Sequence, residues 1–296
     1  MPTITPRRTT GRRPHRVRRR IAAAAAGLAL HALGAQAVQP IGEPLEVGII
    51  PTLSTRTIFN TYRPLREYLA RSLGRPVLLV TAPDFRTLVE RTQRGEYRYL
   101  ITASHFARLA QKQAGYVPLV RVQRDLGAMI VVSASSGIHT LQQLRGTTVA
   151  TPDRLAIISI LGRDVLRQSG LKLGEDVIIR AYPSFNSAVL AVANGGCAAA
   201  VTAQSALNQM PAKIRAGLNT LAGSKAVPHV VLLANSQVPG AERERMKALL
   251  LAFNDDPEGS LFLQRTGFQA YVEVKSGELV TLDPYLDEIS AELDKQ

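Results

Sequence analysis

From residue 45 onward the chain alternates short apolar runs with stretches whose apolar positions recur every three or four residues. These are the periods of buried strands and amphipathic helices. The run 45–50 predicts a strand, and the pattern over 62–73 predicts a helix with Pro64 in its first turn and Gly74 at its end. A strand over 77–81 follows. A helix capped by Asp84 then reaches Arg94, with Leu88 and Val89 on its inner face. Leu100 and Ile101 form a short strand, 104–114 a helix and 117–122 a further strand.

A second series of the same kind begins at 128–132. It continues as a short helix at 140–144, a strand at 148–150, a helix at 157–168 closed by Gly170, and a strand at 177–180. A helix at 186–193, a strand at 198–201, a helix at 204–210 and a strand at 230–234 complete it. The tail reads as three helices, 241–253, 257–265 and 284–295, the last two opening on proline. Repeated strand–helix–strand units call for largely parallel sheets covered on both faces. No Pro/Gly/Ser-rich linker separates the series, yet residues 38–296 exceed what one core usually takes. Two α/β lobes joined by short crossings satisfy both observations.

Residues 1–37 have a different character. Eight arginines between Arg7 and Arg20, with no acidic residue, precede an apolar run over 21–33 and the small-x-small pattern Ala35-Gln36-Ala37. This is the layout of a cleavable export signal, which predicts a periplasmic location. Its apolar run is short for a membrane anchor. Arg18-Arg19-Arg20-Ile21 leaves Sec and twin-arginine export both open. The whole chain carries 36 Lys+Arg against 23 Asp+Glu, a net charge of +13. Without the leader's arginines 28 basic residues remain, a net charge of about +5, and they are scattered. A nucleic-acid partner is therefore not expected.

Candidate chemistry is sparse. Cys197, the one cysteine, excludes an internal disulfide or a thiolate metal cluster and reads as a small core residue. His105, His139 and His229 lack metal-ligand spacing. No nucleophile elbow, phosphate-binding loop or dinucleotide fingerprint appears, so neither an enzyme nor a cofactor is expected.

Several blocks carry a family resemblance through their order and spacing. They are Val47-Gly48-Ile49-Ile50-Pro51; Tyr62-Arg63-Pro64-Leu65-Arg66-Glu67-Tyr68-Leu69; Ala82-Pro83-Asp84-Phe85; Gly137-Ile138 with Leu141, Leu144, Arg145 and Gly146; Ser184-Phe185-Asn186-Ser187-Ala188; Val227-Pro228-His229; and Asp256-Pro257-Glu258-Gly259. Together they resemble the phosphate/phosphite/phosphonate-type periplasmic solute-binding proteins of ABC importers. The resemblance implies a type II-like clamshell, with 38–127 and 230–296 in one lobe and 128–229 in the other. The crossings fall near 124–128 and 227–230. It also implies a small, anionic ligand between the lobes, a permease partner and a monomer.

Ligands of such folds sit at the carboxyl ends of strands, where helix amino termini favour anions. The strand-to-helix junctions supply the candidates: Thr52, Ser54, Thr102, Ser104, His105, Asp153, Arg154, Ser184, Asn186, Thr202 and Gln204. Helix capping competes with binding as the role of each Ser, Thr and Asn. Arg154 is either a bidentate anchor or a solvated loop residue. The sequence departs from the family at 153–159. Asp-Arg-Leu-Ala-Ile-Ile-Ser stands there in place of a hydroxyl-rich turn ending in glycine. Arg98 and Ala198 stand where the family often carries aspartate. A diverged cleft keeps two other roles open: a sensing subunit for a membrane histidine kinase, or a small exported enzyme.

Overall fold

The computed structural model describes residues 43–295. The export signal expected over 1–37 lies outside them. The first half of the described chain runs β1 (Leu45–Ile49), α1 (Thr55–Leu73), β2 (Val77–Thr81), α2 (Phe85–Gln93), β3 (Tyr99–Ala103), α3 (Ser104–Ala114), β4 (Val117–Val122), β5 (Asp125–Leu126) and β6 (Met129–Ser133). It continues with β7 (Thr147–Thr151), α4 (Ile157–Gln168), β8 (Val177–Ala181), α5 (Phe185–Ala193), β9 (Ala199–Thr202), α6 (Gln204–Gln209), α7 (Ala212–Ala216) and β10 (Leu218–Gly223). The remainder is β11 (Val227–Pro228), β12 (Val230–Ala234), α8 (Gly240–Ala252), α9 (Pro257–Thr266), β13 (Tyr271–Glu273) and α10 (Leu286–Asp294).

Two sheets build two lobes. The first is six-stranded, in the order β13-β4-β12-β3-β1-β2, and the second five-stranded, β10-β6-β9-β7-β8. Each has a parallel half, β1 with β2 and β3, or β7 with β8 and β9. The other strands run antiparallel, so both sheets are mixed rather than largely parallel. In the first sheet β12 returns from the second and slots between β3 and β4 against their direction; in the second, β6 runs antiparallel to both of its neighbours, β10 and β9. The two connecting segments pair with each other: β5 and β11 form an antiparallel ribbon, Val227 opposite Leu126 and Pro228 opposite Asp125.

Local chemistry sets where the elements start and stop. α1 begins seven residues before the expected position, because the Ser54 hydroxyl accepts from the Thr57 N–H and caps it there. Pro64 consequently lies inside the helix, where it forfeits one main-chain hydrogen bond. Burial of Ile58, Tyr62, Leu65 and Leu69 at helical spacing outweighs that loss. Pro284 likewise does not open the last helix. It falls in a 3-10 segment over Glu278–Tyr285, and α10 starts after it. Asp84 caps α2 as expected, accepting from Thr87 N–H at 2.7 Å. β10, β13 and α7 have no counterpart in the sequence pattern. β10 is an edge strand with polar Asn219 and Thr220, so it shows no apolar run.

One apolar cluster passes through both lobes. It joins Leu100, Phe106 and Tyr116 of the first to Val149, Leu155 and Ile157 of the second, and to Leu279, Leu282 and Ile289 of the C-terminal segment. That segment is tied to both sides by ion pairs. Arg108 of α3 holds Asp283 through two bonds of 2.6 and 2.9 Å, while Arg163 and Arg167 of α4 both hold Glu288, at 2.5 and 2.7 Å. A second cluster fills the other face of the first sheet, where Tyr62 packs on Phe262. Cys197 is buried in a third, on the far side of the second sheet.

Candidate functional site

Two strand-to-helix junctions face each other across the lobes. In the first lobe, β3 runs directly into α3 with no loop, and Ala103 caps that helix without any side-chain bond. Leaving out a capping side chain keeps first-turn N–H groups and the positive end of the helix dipole available. In the second lobe, β7 leads through 152–156 into α4, whose cap residue Ala156 also offers no side chain. The junctions touch: His105 Nε2 lies 2.9 Å from the Leu155 carbonyl oxygen.

Among the described residues nine buried side-chain polar atoms lack a hydrogen-bond partner, and four of them lie at these junctions. Thr102 Oγ1, Ser104 Oγ, His105 Nδ1 and Thr151 Oγ1 have no hydrogen-bond partner among the described residues, and all four residues are at most 1% exposed. Native proteins rarely leave such groups unmatched, and a carrier of several at one place is a candidate binding site. Side chains alternate along a strand. Thr102 therefore shares the face of Leu100, and Thr151 that of Val149, both within the cluster that spans the lobes. Thr202, also buried and without a partner among the described residues, alternates to the opposite face with Ala200.

His105 is held neutral. Burial lowers its pKa to about 4, opposed only by the Leu155 carbonyl. Its ring lies 4.0 Å from that of Phe106. His229 is shifted in the same direction by burial and by the charge of Arg124. Its main-chain carbonyl accepts from Ser104 N–H at 2.8 Å, which ties the end of the second crossing to the first junction.

The other candidates have local duties. Ser54 caps α1, and Ser184 caps α5 in a reciprocal box with Ser187. Thr52 donates its N–H to the Ile50 carbonyl, and Asn186 is exposed in the first turn of α5. Asp153 accepts from Leu155 N–H at 2.8 Å and so shapes the loop that presents the Leu155 carbonyl. Gln204 bonds Asn208 and lines a 430 Å³ cavity with Arg215 and Thr220 on the outer side of the second sheet. Arg154 is exposed, its guanidinium turned to Glu292 at 4.0 Å. Arg98 pairs with Glu242 at 2.5 Å, a link to α8. Sequence reasoning missed Thr151, because the expected strand stopped at residue 150. The apolar turn 155–157 also acquires a role: its side chains pack between the lobes, and its main chain meets His105.

A family model described as "ABC transporter, phosphonate, periplasmic substrate-binding protein" matches residues 47–279. Among solved structures, a Xanthomonas citri protein bound to ATP superposes with a TM-score of 0.73 at 19% identity, covering 84% of this chain and 98% of that one. A Prochlorococcus marinus protein in complex with methylphosphonate gives 0.71 at 12% identity, over 86% of this chain and 99% of its own. The binding component of an ABC phosphonate transporter from Pseudomonas aeruginosa gives 0.70 at 13% identity, over 86% and 89%. At these identities the likeness is one of fold.

Proposed function

The chain belongs to the periplasmic substrate-binding protein family of ABC phosphonate transporters, and on that premise we propose that it captures a small anionic molecule between its lobes and presents it to an importer permease. The family works outside the cytoplasm on small solutes. The arginine-rich leader over 1–37 is our proposed route there. We divide the lobes at 38–127 with 230–296 and at 128–229, a division supported by the membership of the two sheets.

The observation that carries the reading is the set of four unpartnered buried atoms beside two helix amino termini without side-chain caps. Hydroxyls donate to oxyanion oxygens, and helix N–H groups add a partial positive charge. The chain needs no buried cation for this. Arg154 stands outside the proposed set, which comprises Thr102, Ser104, His105 and Thr151. The two halves of this set already meet where His105 contacts the Leu155 carbonyl, so entry of a ligand requires the lobes to open, as in other hinged binding proteins.

A thermal-shift series tests the proposal. Phosphate, phosphonates, sulfonates and carboxylates would each be added, with a dye or calorimetric readout because the chain has no tryptophan. A ligand at 100 times its dissociation constant adds about 2.7 kcal/mol. The Thr102→Val variant should keep or gain intrinsic stability, since it deletes an unsatisfied hydroxyl while preserving shape, and should lose about tenfold in affinity. Undiminished affinity in that variant would remove Thr102 from the site. A panel without any shift would count against the interlobe reading.

A further inference from the structure

A cavity of about 590 Å³ lies where α10 meets α4 and β8 of the second lobe. None of Thr102, Ser104, His105 and Thr151 lines it. Its lining has two chemical halves. Leu173, Ile178, Ile179 and Ala291 form an apolar wall. Ile178 is 49% exposed on the edge strand of its sheet, so this wall faces solvent. Single exposed apolar residues are ordinary on a protein surface, whereas several sharing one concave wall suit an apolar ligand group. The other half is cationic. Arg163 and Arg167 share one carboxylate, Glu288, while Arg154 and Lys295 share another, Glu292. Arg163 is 5% exposed and already donates to Glu288 and to the Arg154 carbonyl, which fixes it as part of the cavity's frame. The two outer arginines keep donors in hand. Arg154 stands 4.0 Å from Glu292, beyond hydrogen-bond reach, and Arg167 engages Glu288 through Nη1 at 2.7 Å, with Nε and Nη2 left over.

We propose that this cavity is a second binding site, for a small amphipathic carboxylate whose head is held by Arg154 and Arg167 and whose hydrocarbon tail lies on Leu173 and Ile178. The planar fork of a guanidinium matches a carboxylate, and both arginines are exposed enough to receive one. A purely polar anion would leave the apolar wall wet, and an amphipathic cation would meet charge of its own sign. The volume falls within the range of about 300–1,000 Å³ usual for small-molecule sites. Arg154, the one cation among the strand-to-helix candidates and a residue outside the interlobe set, thereby acquires a role. Because α10 supplies one wall, an occupant also holds that helix against the second lobe. The site goes beyond the interlobe reading and does not depend on it.

Isothermal calorimetry of the purified protein with hexanoate, acetate and hexanol at neutral pH tests this. Acetate has the head without the tail, and hexanol the tail without the charge. Hexanoate should bind at least about tenfold tighter than either, since its further CH₂ groups leave water and its carboxylate takes charge-assisted bonds. Arg154→Gln, a change to an exposed side chain, should weaken hexanoate about tenfold. Ile178→Asp, at a half-exposed position on an edge strand, sets a charge in the apolar wall and should bring hexanoate and acetate within about threefold of each other. Melting curves of both variants would verify that they are folded. Hexanoate binding no tighter than acetate, binding unchanged in both variants, or no binding at millimolar concentration would overturn the proposal and leave the interlobe reading standing. Binding lost in Thr102→Val but kept in Arg154→Gln would place the carboxylate between the lobes, which overturns the proposal and supports the interlobe reading.

Discussion

A hydroxyl taken out of water without a partner costs roughly 1–3 kcal/mol, and a neutral imidazole held in a dry site resists protonation. Both terms apply at the β3–α3 junction. For His105 the second has a readable pH signature. Its pKa is about 4 in the folded chain against 6.5 for the free group, so unfolding takes up a proton in the interval between. Stability is complete above pH 6.5 and falls as pH drops toward 4, by up to about 3 kcal/mol. Urea unfolding at pH 7 and pH 4.5 should show this loss, and His105→Gln, which never titrates, should show a clearly smaller one. An equal loss in both would place the acid-sensitive group elsewhere. At this scale the sequence was legible where chemistry is local. Thr102, Ser104 and His105 stood out as polar residues between an apolar strand and a helix, and Asp84 declared itself as a cap. Arg154 did not, because its surroundings are set by Glu292, far away in the chain. Thr151 was hidden by a boundary error of one residue.

Elements are positioned by close contacts as well as by their apolar faces. α4, whose amino terminus opens on the site, packs against β9 through Gly162. A Cβ there would lie 2.4 Å from Val201 Cγ1 and 2.6 Å from Cγ2, both on a fully buried side chain. Gly162→Ala should therefore cost about 1–3 kcal/mol through overpacking. By lifting the helix it should also weaken ligand binding; a variant as stable as the parent in denaturant would show that α4 has slack. Most strands and helices were legible from period alone. Three of the exceptions share a physical cause: β10, β13 and the true start of α1 depend on edge pairing or on a cap, neither of which leaves an apolar rhythm.

At the scale of the molecule, the C-terminal segment bridges the lobes. Arg163 is 5% exposed and paired with Glu288, where burial works to raise the carboxyl and the two arginines outweigh it, holding it below its usual value. Glu288→Ala leaves a buried guanidinium uncompensated and should cost about 3–5 kcal/mol. Adding Arg163→Met should recover most of it, as chemical denaturation of the single and double variants would reveal. The two-lobed plan was visible as two strand–helix series; the bridge was not, because its contacts join residues from distant parts of the chain. The place of β12 carries a separate consequence. The second sheet is drawn from one uninterrupted stretch, so its strands can associate as soon as that stretch emerges from a ribosome or translocation pore. The first sheet has a gap between β3 and β4 that only a late-arriving strand can fill. Such distant pairing is slow. The chain is thus built to assemble from its middle outward, and the capacity to hold a solute comes last.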